Sequence, residues 1–292
     1  MITVESPGFV KLDYGPMQMT IFASLNGQPQ TTAVKTAAAL AIKLLEELTV
    51  FRGEARKPQA AITDNDEYPE ILKMMIDAVR RSGDTTLTPM AAVAGSIADM
   101  VADYLYSTGA TKVIVNNGGD IALRLGNQET VTVGVAPVIG GSQTHILHVK
   151  AGDGIGGIAT SGLGGRSFTK GIATAAVVTS SRAAIADACA TSIANATYTP
   201  HSSIKVGPAG NIDPASDIAN HVVVYEVGDV PAEIAKLSLY NGYNQARDYY
   251  QRKLIAGVAL FICNWGVMLP ENYISPVADI KIEEGLLWKS EK

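Results

Sequence analysis

The spacing of the apolar residues changes near Gly109, and this change limits the fold classes open to the chain. Before Gly109, the segment 32–48 repeats apolar residues every three or four positions, and 69–82 and 88–108 have helix start or stop residues, so three helices are predicted. After it, short β-patterned runs alternate with Gly-rich turns, and two further helices are predicted. Strands and helices mix without strict β-α-β alternation, so the sequence predicts an α+β fold.

Turn-forming and capping residues set the predicted ends of the N-terminal elements. The cluster at 13–16 separates β-forming runs at 8–13 and 17–25, which predicts a hairpin. Thr32 is the predicted N-cap of the first helix, and Gly83 is the predicted left-handed residue after the second.

The remaining predicted elements follow in chain order. The predicted strands are 113–117, 121–125, 130–138, 144–150, 173–179 and 221–227, and an apolar strand pair lies within 254–269. The predicted helices are 181–195 and 231–240, and the polar stretch 197–217 is expected to be a connector.

Charge and composition exclude several classes of protein. The net charge is −5, and no run of Lys and Arg supplies the positive surface that attracts nucleic acids or anionic membranes. Two cysteines are too few for a disulfide framework or a four-thiolate zinc site. The N-terminus lacks a signal-peptide pattern, and the longest apolar run, 254–269, is shorter than the roughly 20 residues of a membrane span. We therefore expect a cytoplasmic enzyme or small-molecule binder with no nucleic-acid and no membrane partner.

The oligomeric state is not fixed by the sequence. Apolar residues make up 47% of the chain and charged residues 17%, so there is ample material for a core. The apolar run at 254–269 suits a homodimer interface as well as an ordinary core, and a homodimer is left open.

The first candidate for chemistry is the segment from Asn116 to Asp120, at the end of a predicted strand. Gly118 and Gly119 would let a ligand approach the backbone, where successive amides can cradle an anion. Asn116 would orient a polar group, and Asp120 would take a hydroxyl or a metal. The alternative is a two-residue hairpin turn, which Asn-Gly and Gly-Gly pairs strongly favour, and the motif alone favours that turn.

The second candidate is the pair Asp187 and Thr191, which lie four residues apart on one face of a predicted helix. A carboxylate and a hydroxyl suit a hard cation such as Mg²⁺, which takes few protein ligands and keeps several waters. The alternative is an Asp favoured by the helix dipole and a Thr that bonds back to its own helix.

The third candidate is the Gly-rich segment 152–171. Ser161 and Ser167 are candidate ligand hydroxyls, and Arg166 could hold an anion through two hydrogen bonds. No general base stands at a fixed spacing, so a serine nucleophile is not supported. The alternative is an ordinary surface loop.

The fourth candidate is the segment 88–95, which opens the third predicted helix with small residues. Thr88 is its predicted cap, and Pro89 is its predicted first helical residue. Such an N-terminus suits an anion or another ligand. The alternative is a well-capped helix packed closely on its neighbour.

Four segments, taken in order, resemble the ApbE-like superfamily, whose founding members are FAD:protein FMN transferases. They are TPMAAVAG at 88–95, IVNNGGDI at 114–121, ATSG at 159–162 and ADACAT at 186–191, and they most resemble the superfamily's uncharacterised branch. The resemblance implies one ApbE-like α+β domain over 1–292, with mixed sheets and packed helices. Its N-terminal helical half would span about 1–110, and its sheet-rich half about 111–282.

The resemblance also implies roles for individual residues around a ligand cleft with walls at 88–95, 116–120, 159–167 and 187–191. In the transferases, the positions of Asp187 and Thr191 bind Mg²⁺, and the Gly-Gly-Asp loop helps form the flavin nucleotide pocket. The implied cofactor-binding residues are Met90, Ala91, Asn116, Gly118, Gly119 and Thr160.

Three departures from the family pattern bear on the activity. The transferases carry a Lys-Gly pair where this chain has Ala94-Gly95, and a His-containing segment where it has Arg166-Ser167. The uncharacterised branch usually has an acidic residue near Thr174. These departures disfavour flavin transfer.

The sequence supports two main functional hypotheses. The first is a Mg²⁺-assisted hydrolase or transferase acting on a small anionic metabolite, with Asp120, Ser161 and Arg166 as catalytic residues. There Asp120 orients substrate or water and Arg166 neutralises an anionic group. The second is a non-catalytic accessory or binding protein in sulfur (homocysteine) or cofactor metabolism, as branch members in methanogens are linked to sulfide assimilation into homocysteine. A Mg²⁺-dependent FAD:protein FMN transferase is the third.

Overall fold

The computed structural model describes residues 1–165, 167–214, 216–276 and 288–289, and confirms the predicted α+β class. The helices of these residues are α1 (Thr31–Val50), α2 (Arg52–Ala55), α3 (Glu70–Ser82), α4 (Val93–Ser107), α5 (Ala183–Ala196), α6 (Ala209–Ile212) and α7 (Ala232–Gln251). The strands are β1 (Ile2–Ser6), β2 (Phe9–Tyr14), β3 (Met17–Leu25), β4 (Gln28–Pro29), β5 (Lys112–Asn117), β6 (Asp120–Leu125), β7 (Thr130–Val135), β8 (His145–Lys150), β9 (Gly157–Ser161), β10 (Ala175–Ser180), β11 (Ile204–Pro208), β12 (Val222–Val227), β13 (Gly257–Ile262), β14 (Trp265–Leu269), β15 (Ser275–Pro276) and β16 (Trp288–Lys289). Within the described ranges, no helix combines the length and the apolar content needed to cross a bilayer.

The chain divides into two compact units. Unit 1 consists of Met1–Val131, Val149–Ala159 and Thr179–Ala188. Unit 2 consists of Thr132–His148, Thr160–Val178 and the chain from Cys189 onward. The predicted single domain, with halves that meet near residue 110, stays a prediction.

The sheet of unit 1 is built from antiparallel neighbours in the order β1-β2-β3-β5-β6. The predicted β2–β3 hairpin is confirmed, with Tyr14 opposite Met17 across its turn. A second hairpin joins β5 and β6, with Asn117 opposite Asp120. Gly118 and Gly119 form its turn, and their φ values of 69° and 115° are ones that glycine adopts without strain. The hairpin-turn interpretation of this motif is therefore confirmed.

The helices of unit 1 pack their apolar faces into one core. The buried residues of α1 include Val34, Ala38 and Ala41, as its spacing predicts. Helix α3 ends at Gly83, which has a φ of 76°, as predicted. The predicted cap at Thr32 is wrong, because α1 begins at Thr31.

The start of the third predicted helix also differs from the prediction. Pro89–Ala92 form a 3-10 turn, and the α-helix begins only at Val93. Thr88 precedes that turn, and its side chain makes no capping hydrogen bond. The donors that open α4 are satisfied from another helix, as described below, so a local cap is not needed.

Strand β9 lies within the Gly-rich segment 152–171, for which the alternative interpretation was a surface loop. Its first residue, Gly157, is required by close packing, because a Cβ there would lie 2.1 Å from the backbone nitrogen of Ala183. A strand that approaches a helix start this closely has no room for a side chain. The glycine therefore reflects packing rather than a turn.

Unit 2 contains several predicted elements and one connector that proves to be structured. Strands β13 and β14 form the apolar pair expected within 254–269. The stretch 197–217 holds β11, which pairs antiparallel with β12, and the short helix α6. Helix α7 runs to Gln251, well past the predicted end at 240, because Ala246 and Tyr249 continue its buried face. The Tyr249 hydroxyl donates to Ser192 Oγ at 2.8 Å.

Candidate functional site

Helices α4 and α5 approach each other very closely near their first turns in unit 1. A Cβ at Gly95 would lie 2.3 Å from the carbonyl oxygen of Ala183, which is far inside van der Waals contact. Only glycine allows this approach. It brings the first-turn amides of each helix within reach of side chains on the other.

Each helix supplies an aspartate that caps the other. Asp187 of α5 accepts hydrogen bonds from the backbone N–H groups of Gly95, at 3.0 Å, and of Ala94. Asp99 of α4 accepts a bond from the N–H of Ala184 at 2.9 Å. Amides in the first turn of a helix have no partner within the helix, and carboxylates are favoured there by the helix dipole. Asp187 of α5 thus caps the first turn of α4, and Asp99 of α4 caps the first turn of α5.

An ion-pair cluster supports this junction. Asp99 is fully buried and pairs with Arg124, whose Nη2 lies 2.8 Å from its Oδ1. Arg124 Nε and Arg182 Nη2 each lie 2.7 Å from the carboxylate of Asp103. Because every charge faces an opposite charge, the buried carboxylate of Asp99 is compensated.

Asp187 and Asp120 form a pair of neighbouring carboxyl groups. Asp187 is half-buried in α5, and Asp120 is the first residue of β6, directly after the Gly-Gly turn. Desolvation and the charge of Asp120 raise the pKa of Asp187 well above its ordinary value, against the opposing effect of the Gly95 and Ala94 amides. Two carboxylates in this relation repel each other, and a bound cation relieves the repulsion.

The β5–β6 hairpin is fixed to the start of α4. Asn116 Oδ1 accepts a bond from the N–H of Gly119 at 2.9 Å, which closes the turn internally. Asn117 Nδ2 donates to the carbonyl oxygen of Ala94 at 3.2 Å. The hairpin that carries Asp120 is therefore bonded to the same helix start that holds Asp187.

Unit 1 brings together one part of the predicted site. Its members are Met90, Ala91, Asn116, Gly118, Gly119, Asp120 and Asp187. Met90 and Ala91 are half-buried in the 3-10 turn that leads into α4, and they pack against the core. Their predicted role in cofactor binding stays a prediction.

The other predicted site residues fall outside unit 1. Thr160 and Ser161 end β9 and belong to unit 2, as does Thr191 of α5. Arg166 lies outside the described residues. The roles predicted for these four residues stay predictions.

Three residues that build the site were given no individual role by the sequence, although Gly95 and Asn117 lie within predicted cleft walls. Gly95 donates to the carboxylate of Asp187, Asn117 donates to the Ala94 carbonyl, and Asp99 caps α5. The sequence does indicate that Asn117 is unusual. Buried and partly exposed residues alternate along β5, and Asn117 occupies the third buried position, after Val113 and Val115. A polar residue at an inward position requires a partner.

The donor set suits a small, hard cation. Among the described residues, no three His, Cys, Asp or Glu side chains are arranged to hold a metal, and Asp120 and Asp187 are two neighbouring carboxyl groups. Mg²⁺ is commonly held by one or two carboxylates and keeps several waters. The pair therefore fits Mg²⁺ by its chemistry.

These features define an α+β protein with a candidate cation site at a junction of two helices and a hairpin. A family model described as AbpE bacteria matches residues 3–269, and the chain belongs to this family, within the ApbE-like superfamily. This confirms the resemblance drawn from the four sequence segments.

Curated relatives are archaeal proteins named UPF0280 protein. The relative from Methanococcoides burtonii is 35% identical over 142 residues, covering 48% of this chain and 58% of the relative. That from Methanopyrus kandleri is 40% identical over 133 residues, covering 44% and 50%. The chain thus spans little more than half the length of these relatives.

Solved structures with a related arrangement include two ApbE proteins. The ApbE protein of Thermotoga maritima has a TM-score of 0.45 and 11% identity, covering 92% of this chain and 97% of that protein. The flavinyl transferase ApbE of Pseudomonas stutzeri, in its apo form, has a TM-score of 0.43 and 11% identity, covering 66% and 85%.

Proposed function

We propose that this protein is a Mg²⁺-assisted hydrolase or transferase acting on a small anionic metabolite, with Asp120 and Asp187 as its cation ligands. The observation that carries the proposal is the neighbouring pair of carboxyl groups, in which the charge of Asp120 raises the pKa of Asp187. When bound, the ion would act as a Lewis acid and balance negative charge on the substrate.

The residues of the chain itself have separate tasks in this proposal. The Ala94 and Gly95 amides hold the carboxylate of Asp187 in place. Asp120, at the exit of the Gly-Gly turn, holds the cation together with Asp187. Thr191 is a further proposed metal ligand, on the strength of the family resemblance. Ser161 and Arg166 are proposed to contact the substrate.

Binding of Mg²⁺ tests the proposal directly. We expect MgCl₂ to raise the melting temperature of the wild-type protein saturably, relative to NaCl at equal ionic strength, because a ligand of the native state stabilises it by mass action. Asp187→Asn and Asp120→Asn should abolish the shift. Asp66→Asn, at an exposed aspartate, is the matched control and should respond like the wild type. An Asp187→Asn variant that retains the full Mg²⁺ shift would overturn the proposed site.

Turnover is the second arm of the test. A panel of small phosphate and carboxylate esters, together with FAD, is incubated with the protein and Mg²⁺. We expect multiple turnover of one of these classes, and a loss of about 100-fold or more in Asp187→Asn, since the cation supplies several kcal/mol of charge stabilisation.

One observation favours a second candidate, a non-catalytic binding or accessory protein. The Asp187 carboxylate already accepts two backbone hydrogen bonds, so it has a structural role as the cap of α4. For this candidate we expect saturable metabolite binding in the same panel with no product formed. Any multiple-turnover reaction that Asp187→Asn abolishes would contradict it.

A further inference from the structure

We infer that Asn117 is a positioning residue for the carboxylate pair, an inference that rests on the proposed function. Its side chain links the hairpin that carries Asp120 to the peptide group that holds Asp187. The path consists of two hydrogen bonds through the Ala94–Gly95 peptide.

The first step is the burial of Asn117. The inward positions of β5 are Val113, Val115 and Asn117, and the last is only 5% exposed. An apolar residue is the ordinary occupant of such a position, because a buried amide is destabilising unless it is hydrogen-bonded. The bond from Asn117 Nδ2 to the Ala94 carbonyl, at 3.2 Å, is the partner that this burial requires.

The second step is the shared peptide group. The oxygen that accepts from Asn117 belongs to Ala94, and the N–H that donates to Asp187 Oδ2 at 3.0 Å belongs to Gly95. These two atoms sit on one peptide bond, which is planar, so Asn117 and Asp187 are held at opposite edges of one rigid plane. The bond to the carbonyl also polarises the N–H and strengthens its bond to the carboxylate.

The third step is the position of Asp120. Asn117 and Asp120 are direct partners in the β5–β6 register, on either side of the two-glycine turn. Anchoring Asn117 therefore fixes the strand end from which Asp120 projects. The peptide itself cannot shift toward α5, because Gly95 already lies against the Ala183 carbonyl. Without the Asn117 bond, the spacing of the two carboxylates is no longer set.

Mg²⁺ affinity, measured by isothermal titration calorimetry with MgCl₂ alone, tests the inference. Asn117→Leu keeps the size of the side chain but removes the donor, and we expect it to weaken Mg²⁺ binding about tenfold or more, as loss of a residue that orients a metal ligand does. Asn117→Gln keeps a donor amide and should recover most of that loss. Titrations are run at a temperature where circular dichroism shows every variant fully folded.

A structural control separates positioning from general destabilisation. Ser82 is 2% exposed and donates to the Val79 carbonyl at 2.6 Å, so Ser82→Ala also removes a buried hydrogen bond of unit 1. It should lower the melting temperature without changing Mg²⁺ affinity. If Asn117→Leu binds Mg²⁺ as tightly as the wild type, the inference is overturned but the proposed function is not. A wild-type protein that binds no Mg²⁺ would overturn the proposed function, and the inference with it.

Discussion

Opposing influences act on the single carboxyl group of Asp187. Burial and the charge of Asp120 favour its protonated form, whereas the amides of Ala94 and Gly95 favour the ionised form. Burial and the charge of Asp120 have the larger effect, so the pKa of Asp187 is raised. A purely structural cap gains nothing from a second carboxylate beside it, so the neighbouring Asp120 distinguishes this cap from Asp99, whose charge faces Arg124.

The pH dependence of stability at the residue scale is clearest for Asp103. Partial burial disfavours its ionised form, but hydrogen bonds from Arg124 and Arg182 outweigh that effect and lower its pKa. A carboxyl whose folded-state pKa is depressed stabilises the fold above the unfolded-state value, about 3.9 for Asp, and loses this contribution as the pH falls through the folded-state pKa. We expect Asp103→Asn to be less stable than the wild type from pH 5 to 8. The difference should shrink below about pH 4.

Urea unfolding of both proteins across this pH range measures the effect. Asp66→Asn, at an exposed aspartate, is the control and should follow the wild type at each pH. A stability difference between the wild type and Asp103→Asn that stays constant down to pH 3 would contradict the assignment.

At the scale of elements, α4 and α5 depend on each other for their first turns. Ala92, the N-cap residue of α4, makes no side-chain capping hydrogen bond, and Asp187 caps this helix from a distant part of the sequence. Asp99 does the same for α5. The first-turn amides of each helix thus find these partners only when the two helices pack together, which couples the carboxylate site to helix packing.

A glycine substitution tests this close packing. Alanine is ordinarily better than glycine in a helix by about 1 kcal/mol. At Gly95, however, the added Cβ would lie 2.3 Å from the Ala183 oxygen. We expect Gly95→Ala to lower the free energy of unfolding by about 1–3 kcal/mol, the usual range for overpacking.

The matched control is Gly53→Ala, because Gly53 lies in α2 and an added Cβ there meets nothing within 4 Å. That variant should be neutral or slightly more stable. Chemical denaturation measures both variants. Equal free energies of unfolding for Gly95→Ala and Gly53→Ala would contradict the prediction, because they would show that α4 and α5 can move apart without a loss of stability.

At the scale of the whole molecule, charge governs which partners the chain attracts. With 23 basic and 28 acidic side chains, the protein has a net charge of −5. We expect no retention on immobilised duplex DNA even at about 50 mM salt, where electrostatic binding is strong. Retention that decreases with salt in a chromatographic assay would contradict this prediction.

The sequence by itself determined the elements whose signals are local. The β2–β3 hairpin, the end of α3 at Gly83 and the Gly118-Gly119 turn follow from turn chemistry, and α1 follows from its apolar spacing. The four sequence segments also pointed to the family that the family model confirms. The roles predicted for Asp187 and Thr191 as metal ligands, and for Asp120 as a catalytic residue, stay predictions.

Tertiary structure decided what depends on residues far apart in the chain. The cap of α4 comes from a residue 92 positions away from Gly95, so no local pattern could reveal it. Gly157 lies in the Gly-rich segment 152–171, but only the packed structure shows that the backbone of Ala183 leaves no room for a side chain there. Asn117 is hydrogen-bonded to a residue 23 positions away. Turns and periodicity are short-range properties of the backbone, whereas close approach and desolvation exist only once distant segments pack together.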